Sequence, residues 1–211
     1  RAERNDHLDQ IVTSTSSKKL IVAGPGTGKS FTFKTLLETR PGRNLALTFI
    51  NALSVDLAQT LSGLAETYTF HGFSKRLLHE TPTPGISTKV AYYPPLVLLQ
   101  TDDVCKVDSM SLDVAGLEKS FHYLDDSDGA ITGATRSGNY YDAVGHIDSV
   151  FRVLRHFQDN PHAVPVFQQI VVDEYQDFSL MEAQFISALA EASPILIVGD
   201  DDQALYDFKH A

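Results

Sequence analysis

Short aliphatic runs recur along this chain, separated by stretches in which apolar side chains return at helical spacing. The runs are KLIVAG (19–24), NLALTF (44–49), QIVVDE (169–174) and PILIVGD (194–200). They are continuous rather than alternating, as strands buried on both faces read, and they predict an α/β domain: a parallel sheet flanked by helices. Between the runs, Leu53, Leu57, Leu61 and Leu64 fall on one helical face, and Phe70, Phe73 and Leu77 on another. Arg40-Pro41-Gly42 stops the helix that begins near Ser30. Ser179 followed by Glu182 has capping-box spacing, which predicts a helix carrying Phe185, Ile186 and Leu189 inward.

The middle of the chain reads differently. From about Thr81 to Asn139 it holds TPTPG, YYPP and DDSDGAITGATRSGN, with poor periodicity and many breakers. Helical order resumes at Tyr141, with Val144, Ile147, Phe151, Leu154 and Phe157 on one face, and stops at Asn160-Pro161. The expected organisation is one α/β domain made of 1–80 and 160–211. Residues 81–159 are expected to form an inserted, mostly helical and loop subdomain with its return helix.

Charge and composition narrow the chemistry. The net charge of −10 over 211 residues opposes strong autonomous binding to a phosphate backbone, so a nucleic-acid partner would need a local surface. Residues 101–130 carry eight acidic and two basic side chains, which concentrates the negative charge in the insertion. Cys105 is the single cysteine, so no internal disulfide can form, and a reducing, cytoplasmic setting is expected. No run of 18 apolar residues is present to span a membrane, and the histidines show no metal-ligand spacing.

AGPGTGKS, residues 23–30, follows an aliphatic run and precedes a helical stretch, the context a P-loop requires. Gly24, Gly26 and Gly28 allow the backbone to curl so that N–H groups and a helix N-terminus face phosphates. Gly24, Pro25, Gly26, Thr27, Gly28, Lys29, Ser30 and Phe31 form the candidate nucleotide-binding stretch. Lys29 would bring a positive charge to the β and γ phosphates of ATP, and the Ser30 hydroxyl would ligate Mg²⁺. In parallel α/β sheets ligands sit at the carboxyl ends of the strands, so QIVVDE would deliver its carboxylates to the same rim. Asp173 is then the candidate Mg²⁺ residue and Glu174 the candidate general base. Gln203, in ILIVGDDDQALYDF, is a candidate sensor of the γ-phosphate or the attacking water. Gln176 and Asp177 have no role that phosphate chemistry alone forces.

Taken in order, AGPGTGKS, LALTFIN, TYTFHGF, VVDEYQD and VGDDDQALYDFKHA resemble motifs I, Ia, Ib, II and III of superfamily 1 DNA helicases of the UvrD/Rep/PcrA type. The resemblance covers residues 19–80 and about 165–211, and the stretch between resembles the family's 1B insertion in position only. It implies a RecA-like first domain with the roles just given, it makes Gln10 the adenine-reading glutamine, and it implies that Gln176 and Asp177 link the site to motif III and the DNA path. It further implies single-stranded DNA contacts at Thr48, Phe49, Asn51, His71, Tyr206 and Phe208, where aromatic rings stack on bases at about 1–3 kcal/mol each.

Departures accompany the resemblance. The family's usual lysine in motif Ia is Ala52 here, and the usual Arg-Gly-Ala ending of motif III reads Lys209-His210-Ala211. Lysine keeps the charge but loses the bidentate fork. The resemblance also implies a second RecA-like domain, beyond these 211 residues, that supplies arginines to the γ-phosphate. The chain by itself is therefore expected to bind Mg-ATP, hydrolyse it slowly and not unwind DNA. The alternative is a helicase-derived nucleotide-binding module that docks a protein and has no unwinding activity.

Overall fold

The computed structural model describes residues 2–24, 27–48, 51–80 and 91–199, the side chains of 2–6 and 51–53 aside. By contact the chain forms two compact units. The first contains residues 1–69, 165–178 and 189–211, and the second residues 70–164 and 179–188. The sequence-based limits of the insertion, 81 and 159, lie inside the second unit.

In chain order the elements are α1 (Ala2–Thr13), β1 (Lys18–Val22), α2 (Lys29–Glu38), β2 (Asn44–Thr48), α3 (Asn51–Thr60) and β3 (Glu66–Thr69). Then come α4 (Phe70–Glu80), β4 (Ala91–Tyr92), α5 (Leu96–Val107), α6 (Val114–Tyr123), α7 (Ala130–Tyr140), β5 (Ala143–Val144) and α8 (His146–Asp159). The series closes with β6 (Gln169–Val172), a 3-10 turn at Tyr175–Asp177, α9 (Leu180–Ala192) and β7 (Ile195–Gly199).

The first unit is built on a fully parallel sheet, with strand order β1-β7-β6-β2-β3 among the described residues. All four aliphatic runs are strands of this sheet, while β3 (ETYT) has too little apolar content to announce itself. β2 and β6 are buried along their whole length, as continuous apolar runs require. Phe33, Leu36 and Leu37 of α2, Ala46 of β2, Leu57 of α3 with Leu61 just beyond it, Val171 of β6, and Leu196 and Val198 of β7 form one buried cluster. At about 1.5–3 kcal/mol for each large side chain removed from water, this cluster outweighs exposed ion pairs such as Lys18–Glu191. Asn44, also buried, donates to the carbonyls of Arg40 and Leu64 at 2.9 Å each, tying the start of β2 to the ends of its neighbours. Among the described residues β1 is at the edge of the sheet, with Leu20 61% and Val22 58% exposed, so its apolar run does not mean burial on both faces.

The second unit is more helical than its breakers suggest. Asp113 caps α6 by accepting from the Gly116 N–H at 2.8 Å, and Asp126 accepts from the N–H groups of Ile131 and Thr132 at 2.8 and 3.1 Å at the start of α7. The glycines of α7 are packing positions. A Cβ on Gly133 would stand 2.6 Å from an Asp108 carboxylate oxygen, and one on Gly138 would stand 2.7 Å from the Arg152 guanidinium. Arg152 and Asp148 form a buried pair at 2.7 Å, with Arg152 also donating to Asn139. Phe70, Phe73 and Phe157 each set a ring against Phe185, at centroid distances of 6.1, 6.3 and 5.6 Å. Ser179 and Glu182 form the expected capping box at the start of α9, with Glu182 accepting from the Ser179 N–H at 2.8 Å.

Candidate active site

The site of the first unit is made by the exits of three neighbouring strands. β1 leaves the sheet at Ala23, whose N–H donates to the Gly199 carbonyl at 2.8 Å, so the loop starts pinned to the end of β7. The Thr27 hydroxyl then donates back to the Gly24 carbonyl at 2.8 Å. Gly28 takes φ 93°, a left-handed conformation that glycine adopts without strain, and from it the chain turns into α2. Lys29 and Ser30 are the first two residues of that helix, and Ser30 is exposed.

β6 supplies the opposite charge. The Asp173 N–H continues the ladder onto the Leu47 carbonyl at 3.0 Å, which holds Asp173 at the rim. Lys29 Nζ lies 2.7 Å from Glu174 Oε1 and 3.6 Å from Asp173 Oδ1, with all three side chains largely buried. Burial pulls the Lys29 ammonium toward neutrality, but the bond to Glu174 and the charge of Asp173 reverse this and raise its pKa. Burial pushes the Asp173 carboxyl above its ordinary value, against the lowering effect of Lys29. In Glu174, burial is outweighed by the donors Lys29 and Gln176, which hold its carboxyl below the ordinary value. Two carboxylates shifted in opposite directions thus face one ammonium.

Glu174 has φ 58° and ψ 49°, a left-handed conformation that costs a non-glycine residue free energy of order 1–3 kcal/mol. Hydrogen bonds hold it there: Asp173 Oδ1 accepts from the Glu174 N–H at 3.0 Å, and the Asp177 N–H donates to the Glu174 carbonyl at 3.1 Å. Gln176 Nε2 donates to Glu174 Oε2 at 2.6 Å. The resemblance ties Gln176 to motif III, but its bond to Glu174 had no sequence signal, since a one-turn 3-10 segment leaves no periodic trace. No group of three or more His, Cys, Asp or Glu side chains forms a metal cluster among the described residues.

A cavity of about 1080 Å³ adjoins the lysine, lined by residues that include Gln10, Ile11, Leu20, Gly24, Lys29 and Phe31. Gln10 on α1 is exposed and Phe31 is 53% exposed. The structure therefore brings Gln10, Gly24, Thr27, Lys29 and Phe31 to one cavity, and Asp173 and Glu174 to its lysine. Pro25, Gly26, Phe49, Gln203, Tyr206 and Phe208, and the side chain of Asn51, lie outside the described residues.

The two described DNA candidates belong to different units. Thr48 is fully buried at the end of β2, and its hydroxyl has no hydrogen-bond partner among the described residues. His71, in the second unit, stacks on His146 with centroids 3.6 Å apart and planes 6° from parallel, and Tyr92 Oη lies 2.8 Å from His146 Nδ1. Burial first, then the charges of His146 and His122, hold the His71 pKa down to about 3. Its folded value lies below its unfolded one, so as pH falls from about 6.5 toward 3 the unfolded chain takes up a proton that the folded chain refuses, and stability is lost. At pH 5 this amounts to about 2 kcal/mol. His71→Phe keeps a ring in the stack, and urea unfolding at pH 7 and pH 5 should show a smaller loss on acidification for that variant than for the wild type.

Lysine and carboxylates meet in the first unit because the sheet is parallel and all its strands end on one rim, which is the construction of a P-loop NTPase. The chain belongs to the AAA domain family, which matches residues 9–209. It is 24% identical to DNA helicase II of Escherichia coli over 259 aligned residues, covering 98% of this chain and 35% of that protein. The same figures hold for DNA helicase II of Salmonella typhimurium. DNA helicase II of Haemophilus influenzae is 35% identical over 73 residues, 32% of this chain and 10% of that protein. The chain thus spans about a third of the length of the relatives it matches end to end, and the similarities support a superfamily 1 helicase-like domain. None of its described helices is long and apolar enough to cross a membrane.

Proposed function

We propose that the chain is the ATP-binding domain of an ATP-dependent DNA helicase or translocase, in which hydrolysis of ATP drives movement along single-stranded DNA in a longer protein. The observation that carries this reading is Lys29 at the N-terminus of α2, set against both Asp173 and Glu174. A helix N-terminus behind a left-handed glycine suits an anion, and Lys29 adds the charge that a β or γ phosphate needs. Gln10 and Phe31, on the wall of the adjoining cavity, offer an amide and an exposed ring to the adenine.

The residues fit a magnesium ion. Ser30 presents a hydroxyl on the first helical turn, and Asp173 carries a carboxylate close enough to pair with Lys29. Mg²⁺ bound by Ser30 and Asp173 would neutralise charge on the phosphates. When Lys29 turns to a phosphate it gives up Glu174 Oε1, and that oxygen then accepts the proton of the attacking water. Gln203 would report the γ-phosphate. His71, held neutral, would offer DNA a ring and a ring nitrogen rather than a charge.

DNA helicase II is the name of the relatives, and a DNA substrate comes to this chain through that similarity, while a second nucleotide-facing domain is what the motif resemblance implies. ATP hydrolysis by the longer protein should rise with single-stranded DNA. The 211 residues alone should bind Mg-ATP and turn it over about 10³-fold or more slowly, the usual cost of a missing arginine finger. A longer protein indifferent to DNA, or strong DNA-stimulated turnover by the 211 residues alone, would overturn this reading.

A further inference from the structure

We propose that Gln176 is a positioning residue for Glu174, its side-chain amide fixing the carboxylate while Gly199 at the end of β7 fixes the amide. The inference rests on reading Glu174 as the general base. The Glu174 carboxylate is held at both oxygens, Oε1 by Lys29 at 2.7 Å and Oε2 by Gln176 at 2.6 Å. The two holds differ in kind. Lys29 is the group that ATP draws away, so its bond cannot orient the carboxylate during the reaction. Gln176 is neutral and belongs to the turn directly after Glu174, so its bond survives that departure and keeps one oxygen tied while the other works.

The other end of the Gln176 amide is confined by the sheet. A Cβ on Gly199 would stand 2.6 Å from Gln176 Oε1 and 2.5 Å from the Tyr175 ring carbon Cε1, so any side chain at 199 would displace the turn that carries the amide. A general base must hold its oxygen within hydrogen-bond reach of the water, and small misplacements cost large factors in rate. Neither Gln176 nor Gly199 touches the reacting atoms under this assignment. They act through Glu174.

The test is a double-mutant cycle on ATP hydrolysis by the full-length protein, with Mg-ATP affinity measured alongside. Gln176→Ala should lower kcat about 10- to 100-fold, the value of one hydrogen bond to a charged group, and leave the ATP Kd within about twofold. Gln176→Glu, equal in size but unable to donate at neutral pH, should fail to rescue it. Gly199→Ala should lower kcat in the same direction. In a Glu174→Gln background, Gln176→Ala should cost nothing further, because residues that act as a unit are non-additive.

A structural role would instead weaken ATP binding or add its cost in both backgrounds, and either result would overturn the proposal. So would full activity in Gln176→Glu. If Glu174→Gln itself hydrolyses ATP at the wild-type rate, the general-base reading fails. If Glu174→Gln is inactive and the Gln176 variants are normal, the reading stands and only the positioning role is lost.

Discussion

Glu174→Gln should lower DNA-stimulated ATP hydrolysis by about 10²- to 10⁴-fold, the usual contribution of a general base, while Mg-ATP still binds. The substitution keeps the size of the side chain and an oxygen that can accept from Lys29 or Gln176. It removes the one property the role needs, a carboxylate able to take a proton. Glu174 is also the less basic of the two carboxylates, because two donors stabilise its charge. It is therefore ionised at neutral pH, whereas burial raises the Asp173 carboxyl against the lowering effect of Lys29. Steady-state hydrolysis and nucleotide affinity, measured on the same preparation, separate the two effects. Weakened binding with a normal rate would place Glu174 among the binding residues instead.

Lys29→Ala should reduce Mg-ATP affinity by about 10- to 100-fold or more, since it deletes a charged donor worth about 1.5–3 kcal/mol at a phosphate. The same change should alter the domain without ligand. Lys29 neutralises two largely buried carboxylates, and removing one partner of such a group leaves uncompensated charge. The sign of the pH effect follows from Glu174. Its folded pKa is depressed below 4.5, so it contributes stability that is present above that pH and lost on acidification. Without Lys29 that contribution goes, and Asp173 and Glu174, left as neighbouring like charges, favour the protonated form. Lys29→Ala should therefore lose less stability than the wild type as pH falls below about 5, which urea unfolding at several pH values would show.

Much of this site is legible in the sequence because its parts are local. AGPGTGKS declares a turn and a helix start within eight residues, and the apolar runs before Gly24 and Asp173 declare the strands that aim them. That Lys29 reaches both Asp173 and Glu174 follows from a parallel sheet, which the continuous runs also announced. The left-handed backbone of Glu174 was not legible, since nothing in the identity of a glutamate favours it, and neither was the tight fit of Tyr175 and Gln176 around Gly199. In the second unit the sequence misled for a physical reason. Gly133 and Gly138 look like breakers, but they are the positions where α7 comes too close to its neighbours for a side chain. Leu20 and Val22 misled in the opposite sense, because an apolar strand on the edge of a sheet reads the same as a central one. Thr48 lay in a motif whose resemblance implies contact with DNA, and the structure buries it.

Under the proposed function, Lys29, Ser30 and Asp173 form a Mg-ATP site in this chain. Titration of the 211-residue chain with a fluorescent ATP analogue, with and without Mg²⁺, tests it most directly. Saturable binding strengthened by Mg²⁺ and weakened about 10-fold or more in Lys29→Ala is the predicted result. Absence of saturable binding, or equal affinity in the wild type and Lys29→Ala, would contradict the claim.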